Sequence, residues 1–323
     1  MAFAAFMAML SASVPAEPLP NPNYHVVHGW PALPEGRVLG SAAGIAVNSK
    51  DEVLVFHRAN RVWSEPLPLT PIALPTIAVF DAKTGRFLRE WGAKQFAMPH
   101  GLSVDDHDNI WVTDVALQQV FKFNPDGRLL MTLGERGVAG ADDSHFNRPT
   151  AVAVLPDGSF YVADGYINTR VIKFSPSGRF LFQWGRPGSG PGEFNTPHAI
   201  AVDKAGFVYV ADRENDRVQV FSDKGRFIRQ IRSPEIGRPY GLAMLPNDRM
   251  VVADGGEQPA SGLDRSGAAV VTSGGRVAQR FGRYGNYDGQ FRMAHAVAVD
   301  ASGDVFVVDI TGQRVQKFVS AKN

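Results

Sequence analysis

The chain has 323 residues, of which 44% are hydrophobic, and 33 basic residues stand against 32 acidic ones for a formal net charge of +1. This is ample length for a sizeable core, and the charge balance speaks against a nucleic-acid or polybasic membrane surface. Cysteine is absent, which excludes disulfides and thiolate metal sites and leaves His, Asp, Glu or backbone oxygens as the only ligands for a metal.

The N-terminal stretch "MAFAAFMAMLSASVPAEPLP" is apolar for about ten residues and then turns small and Pro-rich. It is too short to span a bilayer. Residues 1–21 read as a secretory signal and short linker, with small residues for a cut after Ala16, although no Lys or Arg precedes the apolar run. The mature chain is therefore expected to be exported, to a periplasm or to the outside. No other segment reaches the eighteen uninterrupted apolar residues of a transmembrane helix.

From Ala43 onward the chain repeats itself. "AGIAVNSKDEVLVFHRANRVW" begins at Ala43, "HGLSVDDHDNIWVTD" at His100, "TAVAVLPDGSFYVAD" at Thr150, "HAIAVDKAGFVYVAD" at His198, "YGLAMLPNDRMVVAD" at Tyr240 and "HAVAVDASGDVFVVD" at His295. After the first copy the starts are 50, 48, 42 and 55 residues apart, near the length of one propeller blade. Each copy carries a short alternating strand, a Gly/Asp/Pro turn and a second strand. That second strand ends in Asp114, Asp164, Asp212, Asp254 or Asp309, or in His57 in the first copy. A third strand such as "VFKF" or "VQVF" follows, and then a fourth. Period-two alternation between turn residues is the strand signature. Six such units predict an all-β, six-bladed β-propeller over residues 22–323. The last copy has only three strands, so "YHVVHGW", residues 24–30, is expected to add the fourth and close the ring. The Pro-rich insert Ser64–Pro75 is expected to lie over one face.

The first position of each repeat reads Ala43, His100, Thr150, His198, Tyr240, His295. Histidine thus occupies every second blade, and alternate blades of a six-membered ring stand about 120° apart around the axis. Three converging imidazoles predict a metal site with open positions, suited to zinc or another divalent first-row metal. In an antiparallel blade the start of strand one and the end of strand two lie at the same end. Arg58, Tyr166 and Arg213, just after the repeated Asp slot, should therefore share the histidines' face. Guanidinium forks match a carboxylate, and a phenol can move a proton. Met293, two residues before His295, either lines the pocket or belongs to the core. The repeated aspartates read as turn holders.

At "MPHGLSVD", "FHRANRVW", "WVTDVALQQVFK", "ADGYINTR" and "VADREN" the chain resembles the peptidyl-α-hydroxyglycine α-amidating lyases, NHL-repeat propellers, over roughly residues 28–318. The resemblance implies a catalytic zinc on His100, His198 and His295, a catalytic Tyr166, substrate-binding Arg58 and Arg213, and an active-site Met293. It implies cleavage of a peptidyl-α-hydroxyglycine, or another N-acyl α-hydroxyglycine, into an amide and glyoxylate. The family's structural calcium would use the carbonyls of Ile45 and Leu102, but its Asp is replaced by Ala296, which puts that ion in doubt. The family's disulfides would fall on Asn147 with Ile167 and on Tyr209 with Val220, where both members of each pair are replaced. Two other readings compete: a non-catalytic NHL propeller that binds peptide or protein, and a lactonase-type hydrolase, which three histidines suit poorly.

Overall fold

The computed structural model describes residues 24–256 and 265–320; the signal expected over residues 1–21 lies outside them. Six four-stranded sheets are arranged as a β-propeller. Blade 1 runs Ala42–Val47, Glu52–His57, Ile77–Asp81, Phe87–Trp91. Blade 2 runs Pro99–Val104, Ile110–Asp114, Gln119–Phe123, Leu129–Leu133. Blade 3 runs Pro149–Val154, Phe160–Asp164, Arg170–Phe174, Phe180–Trp184. Blade 4 runs Pro197–Val202, Val208–Asp212, Arg217–Phe221, Phe227–Ile231. Blade 5 runs Pro239–Met244, Met250–Asp254, Gly267–Val271, Val277–Phe281. Blade 6 is Ala294–Val299, Val305–Asp309 and Arg314–Ser320, completed by Tyr24–Val26. Among the described residues no helix is long and apolar enough to cross a membrane.

The burial pattern follows from this stacking. Second strands such as "FYVAD" and "VYVAD" are buried at every position, because neighbouring blades cover both faces. Fourth strands at the rim alternate, as in "FLFQW". The turn between the first two strands passes through the left-handed region at the same place in each blade, and Gly158 or Asp108 stands there (φ 80° and 60°). That region suits Gly and, with a local polar side chain, Asp.

Each second-strand Asp gathers backbone N–H groups from the segment leading into its own blade. Asp114 accepts from Ala97 (2.6 Å), Met98, Ala116 and Leu117 (each 2.9 Å). Asp164, Asp212 and Asp309 also pair with Arg170, Arg217 and Arg314. The turn-holding expectation thus describes what these carboxylates do. Tyr24–Val26 pairs antiparallel with the last strand, Tyr24 opposite Ser320 and Val26 opposite Phe318. The Tyr24 ring lies 4.8 Å from Phe281 of blade 5, and Trp30 lies 4.9 Å from Phe306 of blade 6 and 6.2 Å from Phe80 of blade 1. The N-terminal segment therefore ties three blades together.

One irregularity positions the site. In every blade the register of the first strand against the second slips at the first repeat position: between Ala42 and Gly44, Pro99 and Leu102, Pro149 and Ala151, Pro197 and Ala199, Pro239 and Gly241, and Ala294 and Ala296. A bulge frees a residue from the ladder and re-aims its side chain. The freed residues are the six of the register set out above.

Candidate active site

The bulges bring His100, His198 and His295 together on the axis. Their ring centroids are 4.9, 5.1 and 4.9 Å apart, a nearly equilateral triangle. One ligand nitrogen from each lies within 4.8 Å of the others, and among the described residues no other cluster of three His, Asp or Glu side chains does this. All three are buried. Each Nδ1 donates to a backbone carbonyl of the next blade: His100 to Thr150 O (2.8 Å), His198 to Tyr240 O (2.6 Å), His295 to Ala43 O (2.8 Å). The acceptors are the first-position residues of the three blades without histidine. A carbonyl can only accept, so the proton sits on Nδ1 and each Nε2 turns a lone pair toward the others.

Burial holds these imidazoles neutral. It pushes His295 down to about 3, helped by the Arg58 cation. His100 falls well below its ordinary value through burial, His295 and Arg58. His198 falls likewise through burial and then Arg213. The Tyr166 hydroxyl stands 2.9 Å from His100 Nε2 and 3.2 Å from His198 Nε2. One O–H proton cannot serve both acceptors at once. Three inward lone pairs, a shortage of donors and second-sphere carbonyls that fix each ring fit a divalent metal such as zinc.

The flanking arginines differ from each other. Arg58 is 5% exposed, its Nε donates to Pro99 O (3.0 Å), and its guanidinium lies 5.2 Å from the Trp63 ring. Among the described residues no carboxylate forms an ion pair with it, and burial lowers its pKa against a smaller upward pull from Tyr166 and Asp114. Arg213 donates from Nε to Glu214 (2.8 Å), which also accepts from Arg238. Its guanidinium stands 5.3 Å from the Tyr166 ring and 4.7 Å from the Tyr240 ring. Met293 is anchored through its backbone, its N–H donating to Asp309 (2.9 Å) and its carbonyl accepting from Ile310 N (3.1 Å).

The Pro-rich insert crosses toward blades 2 and 3 beside Tyr166. Glu65 forms a two-pronged pair with Arg148 (2.8 Å each), and Leu69 O accepts from Arg136 (2.7 Å). The insert thereby reaches from blade 1 to the start of blade 3. Trp63 at its root packs 5.6 Å from Tyr166. Trp63, Glu214 and Arg238 were not singled out in the sequence, and Tyr240 only as a repeat position. Proximity to Arg58 and Arg213 in the chain was the available signal for the first two.

Below the tripod an axial cavity of about 320 Å³ is lined by the first strands, including Ile45 and Leu102, and carries no carboxylate. A calcium ion there would find carbonyls and hydroxyls, Ser103 among them, but not the carboxylate that the resemblance implies, since Ala296 stands in its place.

The NHL repeat family matches residues 96–123, 146–174 and 194–221. The chain is 35% identical to peptidyl-alpha-hydroxyglycine alpha-amidating lyase 2 of Drosophila melanogaster, covering 95% of this chain and 78% of that one. The chain belongs to the peptidyl-alpha-hydroxyglycine alpha-amidating lyase family. It is also 35% identical to peptidylglycine alpha-amidating monooxygenase of Rattus norvegicus, over 94% of this chain and 33% of that protein. The chain thus spans about a third of the long curated relatives it matches. A solved structure of streptogramin B lyase matches with a TM-score of 0.60 at 13% identity, covering 92% of this chain and 98% of that one, a likeness of fold alone. Membership makes this propeller a lyase, which favours the first of the three readings over a binding module or a lactonase-type hydrolase. In this lyase Tyr209 and Val220 are direct cross-strand partners, so the pair that the resemblance links to a family disulfide is adjacent here without one.

Proposed function

We propose that this lyase cleaves the C–N bond of a peptidyl or other N-acyl α-hydroxyglycine, releasing an amide and glyoxylate, with a zinc ion on His100, His198 and His295. The observation that carries the reading is the convergence of three neutral imidazoles, with the Tyr166 hydroxyl at the Nε2 atoms of two of them, His100 and His198, and the Arg213 guanidinium against its ring. When bound, zinc would supply Lewis acidity, polarising and acidifying the substrate's α-hydroxyl.

The remaining roles fall to the chain. Arg58 is a desolvated cation with no ion-paired carboxylate among the described residues, and its Nη fork suits the substrate's carboxylate. The reaction breaks the C–N bond and turns the C–OH into the C=O of glyoxylate. One proton leaves the α-hydroxyl and one arrives at the departing nitrogen. The Tyr166 oxygen is the group best situated to carry that proton. Arg213, against the Tyr166 ring, offsets negative charge as it develops there. Trp63 covers Arg58 and keeps water from the fork. The names of the relatives support a peptide as the N-acyl group. Export of the chain, read from residues 1–21, would be checked by N-terminal sequencing of the protein recovered outside the cytoplasm.

The test is glyoxylate release from an N-acyl-α-hydroxyglycine by native, chelated and Tyr166→Phe protein. Native protein should turn over, chelation should abolish turnover until zinc is restored, and Tyr166→Phe should lose on the order of a hundredfold or more in kcat. Metal-loaded native protein that releases no glyoxylate would sink the reaction. Turnover indifferent to both chelation and the Tyr166 change would sink the mechanism. Retained stoichiometric zinc in His198→Ala would sink the ligand set.

A further inference from the structure

Arg213 is held from three sides, and apart from Tyr166 the residues that hold it have no role in the proposed reaction. Its backbone and that of Glu214 are pinned to the segment leading into blade 4, Arg213 N to Thr196 O (3.1 Å) and Glu214 N to Asn195 O (3.0 Å). Its Nε is engaged by Glu214, whose carboxylate is fixed in turn by Arg238. Its guanidinium packs against two phenol rings, Tyr166 at 5.3 Å and Tyr240 at 4.7 Å. Only Nη1 and Nη2 are left to meet a ligand or a developing charge.

The Tyr240 ring has a built seat. Tyr240 is 4% exposed and packs 5.0 Å from His198. Gly255 occupies the slot after Asp254 that Arg58 and Arg213 fill in blades 1 and 4. A Cβ on Gly255 would stand 2.3 Å from Tyr240 Cδ2, inside contact distance. Any other residue there would push the ring off its place. Tyr240 meets the tripod with both parts: its ring packs 5.0 Å from His198 and 5.7 Å from His295, and its carbonyl takes the His198 Nδ1 proton. The side chain can therefore be changed while the hydrogen bond to the ligand stays. A flat cationic group held against an aromatic face, with its inner nitrogen locked to a carboxylate, loses little freedom when its outer fork is used.

We infer that Tyr240, seated on Gly255 and acting with Glu214, is a positioning residue that fixes the Arg213 fork toward the Tyr166 oxygen. The inference rests on the proposed reaction. Because Arg58 is the group assigned to the substrate's carboxylate, disturbing Arg213 should weaken turnover more than binding.

The experiment measures kcat, KM and bound zinc for the full chain and for Tyr240→Leu, Tyr240→Phe, Glu214→Gln and Gly255→Ala, with an N-acyl-α-hydroxyglycine as substrate. Tyr240→Leu and Gly255→Ala should lose about tenfold in kcat with KM within about twofold, and Glu214→Gln should follow them. Tyr240→Phe keeps the aromatic face and should restore kcat to within about twofold of the parent. Zinc should stay stoichiometric throughout. Three results in an active parent overturn the inference: kcat unchanged in both Tyr240→Leu and Gly255→Ala, Tyr240→Phe falling as far as Tyr240→Leu, or losses that track lost zinc or appear in KM alone. An inactive parent chain overturns the proposed reaction and this inference with it, so the two failures are told apart by the parent's own turnover.

Discussion

Arg58 pits stability against function in a single side chain. A guanidinium 5% exposed with one hydrogen bond to a carbonyl, the Trp63 ring beside it and no ion-paired carboxylate among the described residues is an incompletely compensated buried charge, which disfavours folding. Replacing it with Met should raise Tm by roughly 1–2 °C, the shift expected for about 1 kcal/mol in a chain of this size, while KM rises on the order of a hundredfold. Thermal melting and steady-state kinetics on one preparation check both halves, and a Tm that falls contradicts the account. His57 carries a different signature. It takes the slot that Asp holds in the other blades, and burial pushes its imidazole down to about 4, against a small upward pull from the Leu39 carbonyl. A base with a depressed folded pKa binds fewer protons folded than unfolded. Stability is therefore full above about pH 6.5 and declines as pH falls toward about 4, by roughly 3 kcal/mol from this group. His57→Asn should remove that share of the acid loss, read as the difference between the two Tm-against-pH curves.

At the scale of the blade, the second-strand Asp joins a strand end to the segment entering the same blade. Asp212 accepts from Arg217 at 2.7 Å, and Arg217 is 2% exposed. Asp212→Ala leaves that guanidinium buried beside carbonyls alone, and a loss of about 3–5 kcal/mol is expected in denaturant melts. Asp114 has four N–H donors and no arginine, so Asp114→Asn should be milder, about 1–3 kcal/mol. The blades themselves were legible because each repeats the same alternation and the same turn residues. The bulge at the first repeat position was not, since a register slip depends on which residues face each other across a pair. Trp63 and Arg148 were equally hidden: their link through Glu65 spans two blades.

At the scale of the molecule, the ring is closed by three residues. Tyr24–Val26 covers the outer edge of blade 6, and the Tyr24 hydroxyl donates to Gly303 O (3.0 Å). A chain begun at residue 28 exposes that edge. It should melt roughly 5 °C or more lower and self-associate on size-exclusion chromatography, since an unpaired strand edge is a template for pairing. Its kcat well below the melting range should match the parent, because this strand is the outermost of its blade and the tripod sits on the innermost ones.

Read as a string, the chain determines six blades, histidine at the first position of alternate ones, and Arg58, Tyr166 and Arg213 at the same end as those histidines. All of this is periodic, and periodicity survives in one dimension. Only the closed ring decides which imidazole nitrogen faces inward. That depends on carbonyls 50, 42 and 252 residues away in the chain. The ring also decides that Arg238, 24 residues on, fixes Glu214 against Arg213 while no carboxylate among the described residues pairs with Arg58, and that the Tyr240 ring rests on Gly255. Burial, orientation and charge pairing belong to neighbours that meet only when strands pair and blades stack, so a local pattern of residue types carries little of them.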